Sequence, residues 1–215
     1  EVELQPMSNV RRITAERLHY AWSTIPQVTQ FDKADITDLE VLRKQYGKRV
    51  EAAGGKLTPT AILLKILGAA LKAFPQFNTS IDMEQRQVIY KRYVNIGIAV
   101  DTEHGLLVPV VRDVDRKNVI ELAIELGEIA KKARDRKIAP ADMQGGCMTI
   151  SNVGVMGGTG FTPIVNPPEV AILGVARSAQ EAVYIDGQFQ PRLMMPLSLS
   201  YDHRQIDGAD GARFL

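Results

Sequence analysis

Apolar residues recur along the first third of the chain at helical spacing. Val10, Ile13, Leu18, Ala21 and Trp22 form a ragged apolar face over residues 8–23, Ser8 or Asn9 stands where a cap belongs, and Pro26 stops the run. Residues 27–32 then alternate as a strand does. A second helix opens at Thr37-Asp38-Leu39-Glu40, with the spacing of a capping box, and closes near Gly54-Gly55. Thr58-Pro59 starts a third, carried by Ile62, Leu63, Ile66, Leu67, Ala70, Leu71 and Phe74 and ended by Pro75.

Strand patterns take over at 87–91, 93–101 and, after the Glu103-His104-Gly105 turn, 106–112. A fourth helix begins at Asn118-Val119-Ile120-Glu121 and reaches about Arg136. Leu122, Ile129 and Ala133 share one of its faces, and lysines and arginines crowd its end, where the helix dipole favours them. The last third reads as strands 147–153, 170–176, 182–185 and 190–202, with Asp186-Gly187 turning the final pair into a hairpin. No Pro/Ser-rich linker, repeat or low-complexity stretch interrupts the order. The pattern predicts one α/β domain with a mixed sheet over residues 1–215.

Composition narrows the function classes. A length of 215 residues allows a sizeable core, and a formal net charge of +1 gives no reason to expect nucleic acid or a membrane surface as partner. The longest apolar helical run, 62–74, is interrupted by Lys65, Gly68 and Lys72, so no bilayer-spanning segment is expected, and no secretory signal is read at the start. Cys147 is the single cysteine; it excludes an intramolecular disulfide, fits a reducing compartment and lies in a buried-strand pattern as an inert thiol. No metal site is expected, because the three histidines lie far apart and the cysteine stands alone. His19 reads as a packing or surface residue and His104 as a solvated turn residue. Asp32-Lys33-Ala34 imitates the tripeptide that carries a lipoylated lysine. A helix follows at once where a small all-β hairpin tip would be needed, so Lys33 is read as unmodified.

Candidate chemistry concentrates at the end of the last strand. Leu197, Leu199, Tyr201 and His203 share one strand face, with Ser198, Ser200 and Asp202 on the other. His203 therefore has two readings, a core histidine continuing the apolar face or a proton carrier delivered to a glycine-rich turn. The His-x-x-x-Asp-Gly spacing, with the preceding Ser-x-Ser-Tyr-Asp, suggests acyl transfer to or from a thiol. Asp207 reads as a triad acid for His203 or, in the reading favoured here, as a structural group that heads the next helix or pairs with an arginine. Arg204 could pair with Asp202 or Asp207. Ser151 ends a strand ahead of Gly154-Val155-Met156-Gly157-Gly158-Thr159-Gly160. It is either a plain strand-end serine, which the residues alone favour, or a donor to an oxyanion. The glycine spacing is neither a dinucleotide nor a Walker signature, and Ser151 lacks a hydrolase elbow.

Taken in chain order, the segments resemble the catalytic domain of the dihydrolipoamide acyltransferases, the cores of 2-oxo-acid dehydrogenase complexes. The resemblance rests on Val100-Asp101 through Gly105-Leu106-Leu107-Val108-Pro109, on Thr149-Ile150-Ser151-Asn152-Val153-Gly154 and on Phe161 through Gly174. It closes on Asp202-His203-Arg204-Gln205-Ile206-Asp207-Gly208, so it covers nearly the whole chain. It implies a chloramphenicol-acetyltransferase-like two-layer sandwich with a mixed β-sheet. It implies that His203 is the general base on a thiol, that Ser151 stabilises the tetrahedral oxyanion, and that Asp207 organises the loop. Coenzyme A would be a substrate, and the lipoyl group would ride on a separate domain, with no metal. The implied assembly is a homotrimer in which the histidine of one subunit meets the serine of the next. It would build a larger multimeric core that works with the lipoyl domain and the E1 and E3 components of the complex, in bacterial cytoplasm or the mitochondrial matrix. The isolated monomer would be inactive. Lipoyl and subunit-binding domains are not in this sequence, and family chains usually continue past the position of Leu215 with a C-terminal helix, so the sequence reads as an excised core. Gly157 through Pro163 looks closest to the acetyl-transferring branch, with succinyl or branched-chain transfer as alternatives. Outside the family, a chloramphenicol-type acetyltransferase and a non-catalytic core of the same fold are the rivals.

Overall fold

The computed structural model describes residues 2–103 and 105–215; His104, read above as a solvated turn residue, lies outside the described residues. In chain order the elements are α1 (Asn9–Thr24), β1 (Gln27–Asp35), α2 (Thr37–Ala52), α3 (Pro59–Ala73), β2 (Thr79–Asp82), β3 (Gln87–Tyr90), β4 (Ile96–Ile98), β5 (Val100–Thr102), β6 (Gly105–Leu107), β7 (Val110–Val111), α4 (Val119–Arg134), β8 (Met148–Asn152), β9 (Ala171–Val175), β10 (Ala179–Ile185), β11 (Gln188–Asp202) and α5 (Gly208–Phe214). The main sheet runs β1-β11-β9-β8-β4-β7, with β10 paired to the first half of β11. Strands β4, β8 and β9 are parallel and the remaining pairings antiparallel, so the sheet is mixed.

Local chemistry explains most of the boundaries. Ser8 Oγ accepts from the Arg11 amide at the head of α1, Thr58 Oγ1 from the Ala61 amide at the head of α3, and Asn118 and Glu121 close a reciprocal capping box on α4. The box expected at Thr37 and Glu40 is absent. Thr37 lies one position inside α2, where its amide and hydroxyl both donate to Asp35 (3.0 and 2.6 Å) and its oxygen accepts from the Leu193 amide (2.8 Å). Glu40 turns instead to Arg43, at 2.7 Å. The Thr37 hydrogen bonds, helped by Arg192, lower the Asp35 carboxyl to about 2. The runs 93–101 and 106–112 each break into two strands. The amides of Ile98 and Ala99 bond to the carbonyls of Pro109 and Ile150, after which β5 and β6 pair with each other outside the main sheet. The β10–β11 turn has positive φ at both Asp186 and Gly187, as a two-residue hairpin requires. Lys33 sits within β1 and pairs with Glu181 across the sheet at 2.8 Å.

Alternation assigns the faces of the sheet. Met148 and Ile150 of β8, Leu173 of β9 and Leu199 and Tyr201 of β11 point into the main core with Leu64, Leu67 and Leu71 of α3 and Leu122 of α4. Phe214 of α5 joins that layer by stacking on Phe77, ring centroids 4.0 Å apart. The opposite face carries Thr149, Ser151 and Ile172. It is roofed in part by α1 and by residues 161–167, which leave a cavity of about 440 Å³. Among the described residues no helix is long and apolar enough to cross a membrane.

One glycine couples α5 to the last strand. A Cβ on Gly211 would collide with the Gln30 amide and lie 2.7 Å from the ring of Tyr201, which is 1% exposed and cannot give way. Gly211→Ala is expected to destabilise the fold by about 1–3 kcal/mol through overpacking, read as a lowered urea midpoint; an unchanged midpoint would show that α5 shifts freely.

Candidate active site

Ser151 is the penultimate residue of β8, ahead of a turn in which the Gly154 amide donates to Asn152 Oδ1 and Gly157 and Gly158 adopt positive φ. It is half-buried and opens into the cavity under α1, alongside Thr149, Phe161 and Asn166. Its parallel partner in β9 is Gly174. A Cβ there would come within 2.9 Å of the Phe161 ring, so the missing side chain lets Phe161 lie against the sheet beside Ser151. The serine thus lines the cavity near the end of β8.

His203 follows directly on β11. Leu197, Leu199 and Tyr201 are buried, but His203 leaves the core and is exposed, which sets aside the core-histidine reading. Its amide donates to the Pro26 carbonyl at 3.0 Å, and its ring stands 6.1 Å from that of Tyr201. The turn behind it is built on Asp202, whose side chain is only 2% exposed. The Asp202 carbonyl accepts from the amides of Gln205 and Ile206, and its carboxylate accepts from the Arg204 amide and from both Nε and Nη2 of the Arg204 guanidinium. Of the two partners open to Arg204, the structure selects Asp202, in a bidentate pair that is half sunk in protein rather than solvated. Asp207 heads α5, its carbonyl accepting from the Gly211 amide, while its carboxylate makes no capping hydrogen bond. Gln30 Nε2 holds the Gly208 carbonyl at 3.1 Å, fixing the start of α5 against β1.

The sheet register keeps the two candidate side chains apart. Ser151 is level with Gly174, and Gly174 with Ser198, so β8 and β11 are separated by one strand. His203 lies five residues beyond Ser198. At strand spacings of about 4.8 Å and a rise of about 3.3 Å per residue, the separation is on the order of 19 Å. Within one chain they form no common site.

Sequence reasoning missed a buried polar group behind the Ser151 cavity. Glu169, at 4% exposure, accepts from Thr149 Oγ1 at 2.6 Å, and its amide donates to the Asn166 carbonyl at 3.0 Å. Burial pushes its carboxyl up to about 7, against the pull of the Thr149 hydrogen bond and of Lys91. Lys91 donates to the Gly146 carbonyl at 3.1 Å and is itself shifted down by burial. Cys147 is fully buried, donates to the Tyr93 carbonyl, and is shifted up by burial, consistent with an inert thiol. The signal available in the sequence was a lone acid directly ahead of the apolar run 170–176. Among the described residues no group of three or more His, Cys, Asp or Glu side chains is placed to hold a metal ion.

Comparison with known proteins is consistent along the whole chain. Residues 1–215 match the family described as 2-oxoacid dehydrogenases acyltransferase (catalytic domain). All of the chain aligns with the dihydrolipoyllysine-residue acetyltransferase components of the pyruvate dehydrogenase complexes of Haemophilus influenzae, at 52% identity, and Pseudomonas aeruginosa, at 53%. It spans 38% and 39% of their respective lengths. Dihydrolipoamide acetyltransferase of Azotobacter vinelandii superposes with a TM-score of 0.97 at 53% identity, covering 100% of this chain and 88% of that one. That structure concerns the role of a serine, a histidine and an asparagine in the catalytic mechanism, the histidine fifty-two positions after the serine and the asparagine four further on. Ser151, His203 and Asp207 stand at the same intervals, with aspartate in the third place. The cubic core of the pyruvate dehydrogenase multienzyme complex matches equally well, with a TM-score of 0.97 and 52% identity over 100% of this chain and 88% of that one. Chloramphenicol acetyltransferase shares the fold, with a TM-score of 0.54 at 18% identity over 98% of this chain and 95% of that one. The two-layer architecture, the mixed sheet and the sequence agreement over all 215 residues together place this chain in the 2-oxoacid dehydrogenase acyltransferase family, as its catalytic domain.

Proposed function

We propose that the chain transfers an acyl group, acetyl first among them, between the thiols of dihydrolipoamide and coenzyme A. The observation that carries this reading is the pairing of retained intervals with a separation on the order of 19 Å: Ser151 and His203 keep the spacing of a known acetyltransferase's serine and histidine, yet lie at two ends of one protomer. Each is half of a site that a second copy completes, which supports a homotrimer and, by likeness to the cubic core, a larger assembly. The relatives' names support partnership with a lipoyl domain and the other enzymes of a pyruvate dehydrogenase complex.

The chemistry follows from the groups. A neutral His203 takes the proton of the attacking thiol, whose own pKa lies well above neutrality. The thiolate sulfur bonds to the thioester carbonyl carbon, and the carbonyl electron pair moves to oxygen, where Ser151 Oγ donates a hydrogen bond. Collapse breaks the bond to the other sulfur, and that leaving thiolate recovers the proton from His203. No acyl-enzyme is needed, because holding two thiol ends in line supplies much of the acceleration. Asp207 stands at the head of α5, while the turn that presents the imidazole is held by Asp202 and Arg204.

An acyl-donor panel tests the reading. Acetyl-, succinyl- and isobutyryl-coenzyme A are offered with dihydrolipoamide to protein whose mass has been measured by light scattering. Acetyl transfer by an oligomer, faster than the other two by about tenfold or more, is expected. Acetylation of chloramphenicol without transfer to dihydrolipoamide, or full activity at monomer mass, would overturn it.

A further inference from the structure

We propose that Glu169 is a positioning residue for the reaction at Ser151, one that sets through Thr149 whether the cavity wall presents a second hydrogen-bond donor or only an acceptor. This rests on the acyl-transfer reading above. Thr149 and Ser151 are alternate residues of β8, on the same face of the sheet, and both line the cavity. The 2.6 Å contact between Thr149 Oγ1 and Glu169 Oε2 is fully buried. A carboxylate can only accept, so facing an ionised Glu169 the single Thr149 hydrogen is committed to it and the hydroxyl offers the cavity lone pairs alone. A protonated Glu169 can donate its own hydrogen to Thr149 Oγ1. The threonine hydrogen is then free to join Ser151 as a donor toward an oxyanion.

The surroundings are shaped for this pair. A Cβ on Gly97, the β4 residue opposite Thr149, would lie 2.7 Å from Thr149 Oγ1, and one on Gly146 would collide with Glu169 Oε1. The absence of both side chains leaves the hydroxyl and the carboxyl their places. The charged and titratable groups facing Glu169 are Lys91 from the end of β3, Cys147 ahead of β8 and Arg17 from α1, with Thr149 Oγ1 as its neutral partner. Burial outweighs the attraction of the two cations and holds the acid near 7, where it changes charge within the working range of an imidazole base. The sign follows. As pH rises through about 7, Glu169 ionises, the second donor is withdrawn and a negative charge appears beside the developing oxyanion. The turnover number should then fall.

The experiment is the pH profile of kcat for acetyl transfer from acetyl-coenzyme A to dihydrolipoamide, on the assembled protein, from about pH 6 to about pH 9. Wild type is expected to lose about tenfold along a falling limb centred near 7, the scale of one hydrogen bond. Glu169→Gln cannot ionise and keeps an N–H for Thr149, so its limb should vanish with KM little changed. Thr149→Val should lose the limb as well, at a lower kcat throughout, and serves if the Gln variant fails to fold. A limb retained in either variant, or no limb in wild type, overturns the role of Glu169. Failure of wild type to acetylate dihydrolipoamide at any pH overturns the acyl-transfer reading instead, which keeps the two failures distinct.

Discussion

His203→Ala is expected to lower kcat for acetyl transfer to dihydrolipoamide about a hundred- to ten-thousandfold, the range that a positioned general base contributes. The chemistry leaves no evident substitute: the attacking thiol is protonated at neutral pH, and among the described residues no other histidine follows β11. The loss should be confined to catalysis. The contact that fastens His203 to the fold is its amide to the Pro26 carbonyl, which alanine retains, and the turn behind it is held by Asp202 and Arg204 rather than by the imidazole. The variant should therefore keep its oligomeric mass and its thermal transition, with acyl-coenzyme A binding little altered. Free imidazole should restore part of the rate, because the base alone is missing. Near wild-type turnover in the variant would remove His203 from the mechanism.

How far the sequence carried this picture depended on the range of the interactions involved. Helices α1, α3 and α4 were legible because Ser8, Thr58 and Asn118 cap them from within a few residues of the apolar runs they precede. The capping box at Thr37 failed because Asp35 and the Leu193 amide, the latter from a distant strand, compete for the same threonine. Strand pattern could not show that 93–101 would split, since the break depends on where Pro109 and Ile150 arrive. The same holds at the site. The intervals joining Ser151, His203 and Asp207 can be counted along the chain, and exposure decided between two open readings of His203. The distance between His203 and Ser151 required the β8–β9–β11 register. Glu169 was invisible as a polar centre because Lys91, Gly146 and Thr149, which surround it, lie far from it in sequence.

Ser151→Ala is expected to lower kcat about a hundred- to a thousandfold, the cost of removing one oxyanion donor. KM should change little, because the bond strengthens only as negative charge develops on the acyl oxygen. Paired with His203→Ala, this variant also tests where the site lies. If both side chains served one site within a single chain, mixing the two variants would restore nothing, whatever oligomer they formed. The sheet register instead puts them on the order of 19 Å apart, and on the proposed reading a working site draws them from different protomers. In mixed trimers, a His203→Ala subunit supplies an intact Ser151 and a Ser151→Ala subunit supplies an intact His203 to some of the interfaces. Random assembly at equal proportions regenerates roughly a quarter of the sites in a head-to-tail ring. Co-expression of the two variants under different affinity tags, followed by sequential capture on both, isolates such mixtures. Recovery of a substantial fraction of wild-type acetyl transfer, from parents that are each nearly inactive, would locate the reaction at the junction between copies; continued inactivity of correctly assembled mixed oligomers would refute a shared site.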